Sequence, residues 1–192
     1  MNEVVGNGQK RLDQAPWIAA AGWFIIALSA GAAVLPSVDP AQGALIIGGM
    51  LVLAGIVELF AGMQRHQTAR LAMLAGAITI VAGLLFSTEP ATKFAPTLII
   101  IAGWLLLRSL TLSAAAAMEH GSVRYWTGLA AAADLILAMT VAVGLSATTL
   151  VISLFGPTEP MIAHFAWVLA ISFVATGLML LEVARCARRE DV

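Results

Sequence analysis

A single cysteine, Cys186, in 192 residues excludes an internal disulfide framework and any structural metal site built on thiolates. Charge is also scarce. Only 11% of residues are charged, ten Lys and Arg against eleven Asp and Glu, and the net charge of -1 comes without a basic stripe interleaved with aromatics. No nucleic-acid partner is expected from such a surface. The three histidines, His66, His120 and His164, lack metal-ligand spacing, no Gly-rich phosphate loop is present, and no serine stands in a nucleophile elbow. The chain therefore reads as a non-enzyme, with no catalytic residues, no cofactor and no metal.

What the chain has in quantity is apolar sequence. At 60% hydrophobic residues and a mean hydropathy of +0.94, it lies outside the range of soluble domains and reads as an all-α, polytopic membrane protein. Six spans are expected, at about 17–35, 43–62, 70–87, 96–117, 126–147 and 161–184, between a polar tail 1–16 and a charged tail 185–192. The tail before Trp17 reads as mostly unstructured. Lys10 and Arg11, the apolar run and the small residues from Ser29 to Ala33 also fit a cleavable signal peptide. The fifth apolar run continues to Phe155, longer than a bilayer requires. Residues 148–156 are thus either a helix extension or a segment at the interface.

Loop charges orient the spans, because Lys and Arg collect on the cytoplasmic side. Lys10, Arg11, Arg65, Arg70, Arg124, Arg185, Arg188 and Arg189 fall in the tails, the second loop or the fourth, and Lys93 is the cation on the opposite side. Both termini are expected in the cytoplasm. Trp17, Tyr125 and Trp126 stand at inner boundaries, where amphipathic rings favour the headgroup region.

Sliding the chain by 54 residues superimposes its first two spans on the next two. Gly22 meets Gly76, Pro36 meets Pro90, Gly49 meets Gly103, His66 meets His120 and Arg70 meets Arg124. The hairpin thus reads as duplicated, which favours the first span as a retained helix over a signal peptide. Thr158-Glu159-Pro160 echoes Thr88-Glu89-Pro90 and suggests a third copy containing an insertion. Gly48, Gly55 and Gly62, seven residues apart, are expected to let neighbouring helices approach closely.

The sharpest signal is a pair of opposite charges inside apolar helices. Arg108 lies thirteen residues before Gly121 and Asp134 thirteen after it, so a hairpin turning at Gly121 brings both to one depth. That depth is about 12 to 15 Å from the turn, near the middle of a core about 30 Å thick. A lone charge there costs at least about 2.5 to 3.5 kcal/mol, so each is expected to partner the other. Glu58, about a turn from the inner end of its helix, is expected to snorkel to the interface, the alternative being a place beside the pair. Glu182 is expected to be interfacial. His66 and His120, with Arg70 and Arg124, read as solvated loop residues that could alternatively bind anionic headgroups or sense cytoplasmic pH. On the outer side, acid would charge His164 and neutralise Asp39, Glu89 and Glu159, a candidate pH sensor.

The pattern Gly22 to Pro36 to Gly49, its copy Gly76 to Pro90 to Gly103, the Gly-x4-Arg of Gly103 to Arg108, and the stretch Trp126 to Asp134 resemble the HdeD family of bacterial acid-resistance membrane proteins. The likeness spans Trp17 to Glu182. It implies an inner-membrane protein that supports acid-stress resistance, with an intramembrane arginine and aspartate at Arg108 and Asp134 and no established catalytic role. Two alternatives stand beside it. One is a small proton or solute transporter using Asp134, Arg108 and Glu58, which would want an unwound helix or a row of polar residues that the sequence does not display. The other is a scaffold subunit whose partner, beyond the lipid bilayer, is a second copy or another membrane protein.

Overall fold

A computed structural model describes residues 2–34, 40–65, 68–88, 94–155 and 161–189, with side chains described over 15–32, 45–65, 68–87, 99–143 and 167–188. Its elements are six helices, α1 Asn2–Val34, α2 Pro40–Met63, α3 Ala69–Thr88, α4 Phe94–Met118, α5 Gly121–Phe155 and α6 Met161–Arg189. No strand occurs among the described residues. All six helices are long and apolar enough to cross a membrane, the qualifying windows being Ala15–Ala32, Leu45–Met63, Ala69–Ser87, Ile99–Met118, Gly121–Val143 and Trp167–Arg188.

Large apolar side chains face outward along every helix, among them Trp23, Leu53, Leu84, Leu110, Ile136 and Ile171. On a water-soluble protein such a surface would be an aggregation site. In hydrocarbon it is the solvent-exposed face, and the polar residues turn inward instead. The described core holds Ile25, Leu51, Ile101, Leu105, Leu169 and Phe173 together with Glu58, Arg108, Asp134, Ser172 and Thr176, all buried.

The helices form a closed ring. The most extensive packing joins α2 to α3, α1 to α6 and α4 to α5, and α3 with α4, α5 with α6 and α1 with α2 complete the circuit. Glycines set the tightest of these seams. A Cβ on Gly55 would lie 2.7 Å from the Gly76 carbonyl oxygen, and one on Gly83 would lie 2.7 Å from that of Gly48. Gly22 and Gly177 repeat the arrangement between α1 and α6, where either added Cβ would come within 2.9 Å of the other residue's carbonyl oxygen. Apolar side chains gain nothing by leaving lipid for each other, so close backbone approach of this kind supplies the attraction.

Several boundaries depart from the sequence expectation. The N-terminal stretch is helical from Asn2 and continues through Pro16 into the first span, because Gln9 to Ala15 are good helix formers with no breaker among them. Helix α2 starts at Pro40, at the position where proline's missing N–H costs least. The fourth loop shrinks to Glu119 and His120, since Gly121 takes a φ of +65° and turns the chain directly into α5. Helix α5 does not stop near residue 147 but runs 35 residues to Phe155, resolving residues 148–155 as helix extension. The charged tail is helical through Arg189.

Candidate functional site

Arg108 is the centre of the bundle. It sits on α4 after Leu105, Leu106 and Leu107, on the face turned away from lipid, and is 1% exposed. Its Nη1 donates to the Asp134 carboxylate on α5 and, at 3.3 Å, to Ser172 Oγ on α6. Its Nη2 donates to Glu58 Oε1 on α2 at 2.5 Å and to Thr176 Oγ1 on α6 at 2.6 Å. One guanidinium thus ties together four helices. Charge-assisted bonds of this kind are about twice as strong as neutral ones.

A ring of neutral donors supports the charges. Ser172 Oγ donates to Asp134 Oδ1 at 2.6 Å, and the Thr176 hydroxyl, by donating to the Ser172 carbonyl at 2.8 Å, turns its lone pairs to Arg108. Trp104 lies with its ring centroid 6.0 Å from the guanidinium carbon and donates its Nε1–H to Thr79 Oγ1 on α3 at 3.2 Å. Thr79 donates to the Ala75 carbonyl at 3.0 Å and stands 3.5 Å from Glu58 Oε2. Arg108 Nε, also buried, has no acceptor among the described residues.

The charge count is uneven. One cation meets two carboxylates, Glu58 on one side and Asp134 on the other. Glu58 therefore does not snorkel to the interface; it is buried and points to the centre. The physical reason is reach. In the 54-residue register Glu58 matches Leu112, about 6 Å nearer the loop than Arg108, and an arginine side chain spans that distance.

A second buried cluster lies at the end of the bundle formed by the α2–α3 and α4–α5 turns. Glu119 accepts from Arg65 Nη1 at 3.1 Å, Thr68 Oγ1 at 2.8 Å and Thr127 Oγ1 at 2.6 Å, joining the α2–α3 turn to the start of α5. Burial draws the Arg65 guanidinium below its ordinary pKa, and the negative charges of Glu119 and Glu58 oppose that shift. At the edge, Glu182 accepts from Ser122 at 2.9 Å, with Arg185 at 3.6 Å and Cys186 Sγ 3.1 Å from the same hydroxyl. Cys186 is thus beside a polar contact at the end of the last span.

Against known proteins, the chain matches no family model, no curated protein and no solved structure.

Of the residues singled out from sequence, the structure brings Arg108, Asp134 and Glu58 together. His120 is exposed at the α4–α5 turn, and Arg70 and Arg124 are exposed nearby. Asp39, Glu89, Glu159, His66 and the side chain of His164 lie outside the described residues. No group of three or more His, Cys, Asp or Glu able to hold a metal occurs among the described residues. The sequence reading missed Ser172 and Thr176, although two hydroxyls four residues apart in an apolar helix share a face and were a readable sign. It also missed Thr79 and the Arg65–Glu119 pair. A polar set does cross the bundle, at one level and from five helices, so no single helix displays it as a row.

Proposed function

We propose that this chain is a multi-pass inner-membrane protein of the HdeD type, with both termini cytoplasmic, that supports survival of acid stress without catalysing a reaction. Its working part is the Glu58, Arg108 and Asp134 cluster, which binds one proton inside the membrane. The observation that carries this reading is two buried carboxylates on one buried guanidinium. With both ionised, the cluster would hold a net negative charge in a medium where a bare charge costs at least about 2.5 to 3.5 kcal/mol. One proton removes it. Because the cluster ties four helices, gaining or losing that proton changes how firmly they are held. The hairpin repeat is supported by the matching Gly55–Gly76 and Gly22–Gly177 approaches.

The test is stability against pH in detergent micelles. The proposed proton is one that the unfolded chain, whose carboxyls ionise at about pH 4, no longer holds at neutral pH, so stability is expected to fall as the pH is raised until that proton has left the folded cluster. For one proton the slope approaches about 1.4 kcal/mol per pH unit. Glu58→Gln or Asp134→Asn should flatten it, and a wild-type stability that does not respond to pH overturns the reading.

The position of Glu58 on Arg108 favours a second reading, a small proton or solute transporter in which Asp134 titrates and Glu58 relays protons inward. Proton flux into liposomes under an imposed pH gradient, lost in Asp134→Asn, would move the assignment there. Folded protein with neither flux nor proton binding would leave a scaffold subunit, alone as a homo-oligomer or with another membrane protein.

A further inference from the structure

Among the described side chains, two hydroxyls have no hydrogen-bond partner, Ser113 on α4 and Tyr125 on α5. Others that face outward do not stay free: Ser87, Thr111 and Thr140 each donate to a carbonyl of their own helix. Both unpartnered hydroxyls line one open groove of about 1280 Å³ between α4 and α5, beside the turn that joins them. Arg124 lines it too, exposed and without a carboxylate partner among the described residues. The carboxylates at this end are engaged elsewhere, Glu119 by Arg65, Thr68 and Thr127, and Glu182 by Ser122 and Arg185.

Small residues make the floor of the groove, Ala116 and Ala117 on α4, Gly121 and Gly128 on α5. These glycines do the opposite of Gly55 and Gly83. A Cβ on Gly128 would meet nothing nearer than the Ala116 Cβ at 4.0 Å, and one on Gly121 nothing within 4 Å, so the missing side chains leave room instead of closing a seam. The two helices are joined deeper in the bundle, where Ser109 donates to the Ala131 carbonyl at 2.9 Å. Leu129, which lines the groove, and Leu110 beyond it are exposed, so the groove opens on the face that meets hydrocarbon. Apolar walls left bare there would forfeit their dispersion contacts, and an acyl chain restores them.

The polar groups stand in a definite order of depth. Arg124 is three residues from Gly121, about 5 Å inside the turn, and Ser113 is six residues from Glu119, about 9 Å inside it. A phospholipid presents a phosphate, then ester carbonyls, then acyl chains in the same order from the surface inward. We propose that the groove holds one phospholipid with an anionic headgroup: its phosphate on the Arg124 guanidinium and the Tyr125 hydroxyl, an ester carbonyl on the Ser113 hydroxyl, and a chain along Ala116, Ala117 and Gly128. The arginine fork suits a phosphate, and with no carboxylate on Arg124 its charge is free to select a lipid of net negative charge over a zwitterionic one, whose own ammonium already balances the phosphate. A second copy of the chain is a poorer occupant, because a two-fold contact through this groove would bring two Arg124 side chains together. Neither the acid-stress role nor the intramembrane proton is needed for this site.

Native mass spectrometry of the full chain, stripped of lipid in detergent and titrated with dioleoylphosphatidylglycerol or dioleoylphosphatidylcholine, counts the bound lipid directly. One phosphatidylglycerol should bind more tightly than phosphatidylcholine does. Arg124→Gln should weaken it by about fivefold, the equivalent of about 1 kcal/mol for one arginine near an anionic surface, and leave phosphatidylcholine unchanged. Arg188→Gln, at an exposed arginine that does not line the groove, should change neither. Gly128→Leu fills the floor and should remove the tightly bound lipid, and it should fold because its first added carbon meets nothing nearer than 4.0 Å. Should it not fold, Ala117→Leu fills the groove from an exposed position on α4. Equal affinity for the two lipids, or equal weakening by Arg124→Gln and Arg188→Gln, overturns the headgroup assignment. Tight phosphatidylglycerol retained by the filled variant overturns the location. A lipid-free dimer that separates when the groove is filled gives the site to a second copy and overturns the proposal.

Discussion

Arg108→Met should cost the fold about 3 to 5 kcal/mol, the usual penalty for removing one partner of a buried ion pair. The loss comes less from the missing bonds than from what is left. Glu58 and Asp134 stay buried without a cation, and Ser172 and Thr176 alone do not replace the two guanidinium nitrogens that now face these carboxylates. Unfolding in mixed micelles at neutral pH measures the cost. The triple variant Arg108→Met, Glu58→Leu, Asp134→Leu should regain most of it, since an apolar set of similar volume often matches or exceeds a buried ion network in stability. Recovery of stability without recovery of acid-linked behaviour would mean the charges are kept for work and not for folding. A single variant within about 1 kcal/mol of wild type would deny the cluster its structural weight.

Gly55→Val should separate α2 from α3. Its Cβ would lie 2.7 Å from the Gly76 carbonyl oxygen and 2.8 Å from the Ile80 amide nitrogen, both backbone atoms that cannot rotate away. Overpacking of this kind costs about 1 to 3 kcal/mol, and the upper end applies here because the obstacle is main chain. Gly103→Ala is the internal control. Nothing lies within 4 Å of its added Cβ, so stability should hold or rise by up to about 1 kcal/mol, the helix-propensity difference between the two residues. The comparison needs only melting temperatures of the two purified variants. Equal losses in both would show that glycine in these helices matters for flexibility and not for contact.

The number of helices long and apolar enough to span was legible because hydrocarbon demands about twenty apolar residues per crossing, a signal that no local detail disturbs. Arg108 and Asp134 were legible for a similar reason, since two charges at equal distance from one turn are a statement about depth. Glu58 was not. Depth counted along a backbone says where a Cα lies, while a guanidinium carries its charge about a turn away, so the carboxylate that looked interfacial was within reach of the centre. Ser172 and Thr176 belong to a helix whose rotation about its own axis depends on packing against α1 and α5, and that rotation is not written in any single span. The short α4–α5 turn was hidden by the polarity of Ser122 and Arg124, which a left-handed Gly121 allows to sit inside the helix.

The partners of Arg108 are spread along the chain in an order that matters when the protein is made. Glu58 precedes it, while Asp134, Ser172 and Thr176 follow. As spans enter the bilayer one after another from the ribosome, α4 would have to commit a bare guanidinium to lipid at a cost of about 2.5 to 3.5 kcal/mol, were α2 not already there with a carboxylate of opposite sign. Glu58 is thus the first host that Arg108 meets, and Asp134 the later arrival that completes the set. The second carboxylate on Arg108 is, during synthesis, the one that lets the fourth helix stay in the membrane.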